Sequence, residues 1–181
     1  MFEKELNYIK HPVVREIAEE GISFIPDYFY HVPASSSGKY HPSYALGEGG
    51  LYRHVKSVVG IANMLFRIYK FTELDQDIII TSLILHDGWK QGFDGSDGKT
   101  WHTHPLVASD TLKEKLSVKS DLHSYCIENI CSNVASHMGQ WTTSENDPTI
   151  LPEPETPMEK FVHLCDYIAS RKPLEYNFES E

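Results

Sequence analysis

The chain has 181 residues, 40% of them hydrophobic and 23% charged, which excludes a disordered, collagen-like or disulfide-scaffold protein. Sixteen basic against 26 acidic residues leave a formal charge of −10, and so argue against a sequence-blind electrostatic grip on nucleic acid over the whole surface. A chain of this length forms one domain and buries roughly 70% of its unfolded surface, so its core needs neither disulfides nor structural metal.

Residues 3–20 mix charged and apolar positions with helical spacing, with Pro12 early and Gly21 as a stop. Residues 26–50 hold Pro26, Pro33, Pro42, a Ser35-Ser36-Ser37-Gly38 run and Gly47, Gly49 and Gly50. That long irregular stretch also carries Tyr28, Phe29, Tyr30, Tyr40 and Tyr44, which argues against disorder. From Leu51, the residues Val55, Val58, Ala62, Leu65 and Tyr69 recur at spacings of three and four, predicting a helix over 51–70. Residues 75–87 are apolar nearly all round, as in a helix buried on several sides. A polar, glycine-rich loop over 92–98 follows, then helical stretches at 104–116, 121–138 and 157–171. The connector 144–157 has four prolines, and the tail after Pro173 is acidic. No stretch alternates with period two, so the expectation is an all-α, compact single-domain bundle of five to seven helices. Residues 1–50 are expected to pack on a core at 51–171, with 172–181 as a tail.

The three cysteines, Cys126, Cys131 and Cys165, form no CxxC pair. They read as buried thiols in a reducing cytoplasm, with no disulfide framework or thiolate zinc site. MFEKELNYIK has no apolar signal-peptide core, and the apolar run 78–85 is too short to span a bilayer. No P-loop, no GxGxxG motif and no EF-hand spacing is present.

Ten histidines are the unusual count. His54 lies on the apolar stripe of 51–70, and His86-Asp87 end the most apolar helix. Asp166 sits in the apolar run 161–169. Burying a carboxylate costs several kcal/mol unless it is paired or coordinated, so two such aspartates beside histidines suggest a metal site. Imidazole and carboxylate donors suit Zn, Mn or Fe and also admit Mg.

This ordered set resembles the HD-domain metal-dependent phosphohydrolases. Gly49-Gly50-Leu51-Tyr52-Arg53-His54 looks like the family's approach to its first ligand helix. His86-Asp87-Gly88-Trp89-Lys90 is similar to its HDxxK, and Leu164-Cys165-Asp166-Tyr167-Ile168-Ala169-Ser170 to its last helix. The resemblance spans about residues 46–171. It implies an HD-type helical core and a divalent ion held by His54, His86, Asp87 and Asp166. It also implies a second ion held by Asp87, His104 and His137, with Asp87 bridging and His102 competing for the role of His104. The metal itself is left open among Mn, Fe, Zn, Ni, Co and Mg. Two such ions can activate a hydroxide and offset charge on a phosphoryl group. Asp87 and Lys90 are the expected catalytic residues, and Lys39, His41, Arg53, Lys90 and Arg171 the expected substrate contacts.

The implied substrate is a small phosphorylated molecule, a nucleotide or a nucleic-acid end, with no membrane partner. Tyr40, Tyr44, Trp89, Trp101 and Trp141 are stacking candidates that also suit the core or rim. His11, His31 and His123 read as surface or loop residues, and His163 as a packed helix residue or an outer contact to a ligand. The GYP signature of cyclic-dinucleotide enzymes is missing after Lys90. The flanks of alarmone hydrolases are missing as well. Two other readings stand beside the enzyme. One is a non-catalytic, metal-containing HD domain that binds a nucleotide or a protein. The other is an HD-fold oxygenase with a mixed-valent di-iron site.

Overall fold

The fold is described from a computed structural model for residues 1–35, 38, 41–95 and 98–172. Among these residues the chain forms seven α-helices and no sheet. The helices are α1 (Glu3–Leu6), α2 (Pro12–Ser23), α3 (Gly50–Leu65), α4 (Glu73–Leu85), α5 (His104–Lys115), α6 (Asp121–Ala135) and α7 (Pro157–Ala169). Two 3₁₀ turns, Asp27–Tyr30 and Ser43–Ala45, lie between α2 and α3. None of the described helices is long and apolar enough to cross a membrane.

The centre is α4. Thr72 and Asp75 close a reciprocal capping box at its start, and every residue from Asp77 to Leu85 is buried. An all-round apolar helix needs neighbours on every side, and α2, α3, α6 and α7 supply them. A second capping box, Thr156 with Glu159, starts α7, and Pro157 stands in its first turn.

The reading of 3–20 as one helix is corrected here. Asp77 on α4 accepts the backbone N–H groups of Lys10 (2.9 Å) and His11 (2.6 Å). This tertiary contact breaks the segment, and Pro12 restarts it as α2. Gly21 is no stop either. A Cβ there would lie 2.8 Å from Leu85 Cδ1, so Gly21 lets α2 approach α4 and the helix runs on to Ser23. Helix α3 ends at Leu65 rather than at residue 70, and Phe66, Tyr69 and Phe71 turn back to pack their rings on Phe161 of α7. Helix α6 ends at Ala135, short of 138.

The irregular stretch before α3 is tied down by its aromatics. Phe29 is buried and packs edge-on with Tyr30 and Tyr52. The Tyr28 hydroxyl donates to the Gly92 carbonyl (2.7 Å) and accepts from Gln91 N–H (3.0 Å). All three cysteines are buried and unpaired. Burial pushes Cys126 and Cys131 to about 11 and Cys165 to about 12, so they are inert thiols at neutral pH.

Candidate metal centre

Helix ends converge on one point. His54 comes from the second turn of α3, and His86 is the C-cap of α4 with Asp87 just beyond it. His104 is the first residue of α5, His137 lies two residues past α6, and Asp166 is in the last turn of α7. All but Asp166 are fully buried.

The Asp87 carboxylate divides the cluster. Its Oδ2 lies 3.5 Å from His86 Nε2 and 3.8 Å from His54 Nε2. Asp166 Oδ1 completes that side, 2.9 Å from His54 Nε2 and 3.7 Å from His86 Nε2. Asp87 Oδ1 faces the other way, 3.0 Å from His104 Nε2 and 3.7 Å from His137 Nε2. Three overlapping groups have ligand atoms close enough to hold an ion. They are His54, His86 and Asp87; His86, His137 and Asp166; and Asp87, His104 and His137.

Backbone carbonyls fix three of the imidazoles. His86 Nδ1–H donates to Leu83 O (2.7 Å), His104 Nδ1–H to Trp101 O (2.6 Å) and His137 Nδ1–H to Val134 O (2.6 Å). A carbonyl only accepts, so each Nδ1 carries the proton and each Nε2 turns a lone pair to the cluster. His54 Nε2, His86 Nε2 and Asp87 Oδ1 are buried with no hydrogen bond of good geometry among the described residues. Orphaned buried polar atoms cost about 1–3 kcal/mol each. A cation removes that cost, and bonds of about 2.1 Å set neighbouring ligand atoms about 3 Å apart, in line with these separations.

The electrostatics favour deprotonated Asp87, Asp166 and His137. Burial raises the Asp87 carboxyl, but the Lys90 ammonium and the His86 and His104 rings outweigh it and hold it well below the ordinary range. Burial likewise opposes Asp166, and the adjacent His54 and His86 rings pull it well below. Burial first, then the neighbouring His86 and His104, depresses His137 to about 3. In His86 burial is outweighed by Asp87 and Asp166, and its pKa rises.

A cavity of about 800 Å³ opens onto the cluster, lined in part by His41, Lys90, Lys99, His104, Asp166 and Arg171. Lys90 Nζ lies 2.5 Å from Asp87 Oδ2. His41 packs edge-on against His54 with ring centroids 5.5 Å apart, and its Nδ1 is buried without a partner among the described residues. Burial, then Lys90 and His54, depresses it to about 4, so it is neutral at pH 7.

Two expected substrate contacts have other standings. Lys39 lies outside the described residues. Arg53 does not line the cavity, contrary to expectation, because its guanidinium donates to the carbonyls of Tyr44 (2.6 Å) and Leu46 (3.0 Å). It staples the loop before α3. His102 is separate from the cluster, bonded through Nε2 to Thr149 O (3.1 Å). Of the stacking candidates, Trp89 is buried core and Trp101 covers Gly92. Tyr44 bonds Ser57, Tyr40 lies outside the described residues, and Trp141 lines the cavity.

Sequence reasoning left the role of His163 undecided and missed Tyr167 as part of the cavity wall. His163 Nδ1–H donates to the backbone carbonyl of His137 (2.8 Å). Its position one turn before Asp166 and Tyr167 was the available signal. A comparison with family models finds one described as HD domain, matching residues 51–171. No curated protein and no solved structure matches the chain.

Proposed function

The chain belongs to the HD-domain family, and on that premise we propose a divalent-metal-dependent phosphohydrolase, acting on phosphomonoesters or phosphodiesters of a nucleotide or nucleic-acid end. The observation that carries the reading is Asp87, whose two oxygens serve two separate sets of imidazoles. In this reading His54, His86, Asp87 and Asp166 hold one ion, and Asp87, His104 and His137 hold a second. When bound, divalent cations supply Lewis-acid stabilisation of the phosphoryl group and a nucleophile at neutral pH.

The chain's own residues do the positioning. Nδ1–H bonds to Leu83, Trp101 and Val134 aim three Nε2 lone pairs and prevent the rings from rotating away. Lys90 bonds Asp87 and lines the cavity, so one ammonium orients the shared carboxylate and neutralises an incoming phosphoryl oxygen. Arg171 offers a second cation on the cavity wall. Neutral His41 offers one hydrogen bond to the ester through its orphaned Nδ1. A small substrate suits a chain of charge −10, in which cations gather locally.

The test is a panel of phosphomonoesters and phosphodiesters assayed with the chelator-stripped chain, then after loading with Mn²⁺, Fe²⁺, Co²⁺, Ni²⁺, Zn²⁺ or Mg²⁺. Turnover with at least one ion and none in the stripped chain is expected. Ions bound without turnover on any ester would contradict the enzyme and favour a metal-containing binding domain.

A further inference from the structure

The cavity has an aromatic wall that the metal cluster does not use. Trp141 and Tyr167 stack with ring centroids 5.6 Å apart and planes within 13°. Both line the cavity and stay exposed, at 39% and 37%. Arg171 lies over both rings, 4.5 Å from the Tyr167 centroid and 5.3 Å from that of Trp141.

This wall is built on the same segments as the cluster. Tyr167 follows Asp166 directly on α7, and Trp141 is four residues after His137. His163 ties the two segments together. It donates to the His137 carbonyl and its ring lies against Trp141 (5.8 Å) and Tyr167 (6.0 Å). The spacing between cluster and wall is therefore set by a helix and a bonded turn.

The charges point the same way. In a chain of −10, Lys90, Lys99 and Arg171 meet in one cavity whose one lining acid among the described residues, Asp166, is already engaged by His54 and His86. About 800 Å³ is in the range of small-molecule sites. Exposed, pre-stacked rings accept a planar heterocycle, and every base has a π-face.

We propose that Trp141 and Tyr167 form a base-binding platform, so that the site takes a free nucleoside monophosphate, its phosphate at the His/Asp cluster and its base on the rings. This rests on the phosphohydrolase reading for the placement of the phosphate and adds what selects the rest of the molecule. A simple sugar phosphate reaches the cluster but makes no stacking contact with the rings. A nucleic-acid end fills the same subsite with its terminal base and extends beyond it.

Binding rather than turnover is the readout, so a catalytically inert protein still tests the platform. Calorimetry on the full chain, loaded with a divalent ion that supports no turnover of these esters, compares adenosine monophosphate, ribose 5-phosphate and a 5′-phosphorylated single-stranded oligonucleotide. The nucleotide is expected to bind about tenfold tighter than ribose 5-phosphate, the scale of one base stacked on an aromatic side chain. Trp141→Leu should erase that preference and leave ribose 5-phosphate unchanged, while Tyr167→Phe, which keeps a ring, should retain it. Far-ultraviolet circular dichroism establishes that each variant is folded. Equal affinity for the nucleotide and the sugar phosphate overturns the platform, as does a preference that survives in a folded Trp141→Leu. Tighter binding of the oligonucleotide than of the nucleotide overturns the choice of a free nucleotide.

Discussion

His104 Nε2 lies 3.1 Å from His137 Nε2, and both rings have already committed their Nδ1 protons to backbone carbonyls. Two neutral rings held this way point lone pairs at each other. A proton or a cation between them relieves the repulsion. Burial, with His86 and His104 beside it, depresses His137 to about 3, which disfavours a proton on that ring, whereas a cation accepts both lone pairs. His104→Ala or His137→Ala is therefore expected to lower the bound divalent ions from two per chain to one, read by elemental analysis after gel filtration. Loss of both ions in either variant would make the cluster one indivisible site.

Lys90 touches Asp87 Oδ2 from the cavity side. Lys90→Ala is expected to lower kcat/KM by about 10²-fold, the scale of one preorganised charge at a reacting group. Its ion content should stay near that of the parent chain. Equal loss of metal and turnover would assign Lys90 to holding the carboxylate alone.

Much of this was legible in the sequence. The apolar-all-round run of α4 announced the core helix, and His86-Asp87 at its end announced the centre. His104-Pro105 was legible as the start of α5, with Pro105 in its first turn, while His102 stayed open as a competing ligand until its bond to Thr149 was seen. What sequence could not show depends on contacts between distant segments. Asp77 breaks the first helix through Lys10 and His11, and Gly21 is a packing contact with Leu85. Arg53 looked like a phosphate contact because it precedes His54, yet the loop folds back and gives it two carbonyls.

Gly139 has φ +63°, and a Cβ there would lie 2.2 Å from the His163 ring. Gly139→Ala is expected to cost about 1–2 kcal/mol from the left-handed backbone alone, with the collision added. Because the turn carries His137, the ion held by Asp87, His104 and His137 should be released at lower chelator concentration than the other. Thermal melts and a chelator titration read the two effects. An unchanged melting temperature contradicts the packing described.

The metal-stripped chain should lose stability as pH falls from 6.5 to about 4. His41 and His137 have folded values of about 4 and about 3, below 6.5, mainly through burial. In that window the unfolded chain binds both protons and the folded chain does not, so stability rises with pH across it. His86 is shifted upward. Its contribution is fully present below 6.5 and is lost only as pH rises through its folded value, so it adds no slope in this window. Asp87 and Asp166 are depressed, and their contribution fades only as pH drops below 3.8. Urea unfolding at pH 4.5, 5.5 and 6.5 reads the slope. His137→Gln should flatten it, and a stripped parent chain that grows more stable toward pH 4.5 contradicts the assignment.

The most direct measurement counts ions and hydrolysis together in the parent chain and in Asp87→Ala. Asp87 turns one carboxylate oxygen to each set of imidazoles. The parent chain should hold two divalent ions and hydrolyse a phosphoester, while folded Asp87→Ala should hold neither ion tightly and fall to the uncatalysed rate. An Asp87→Ala chain that keeps both ions, or that hydrolyses the ester at the parent rate, would contradict the account.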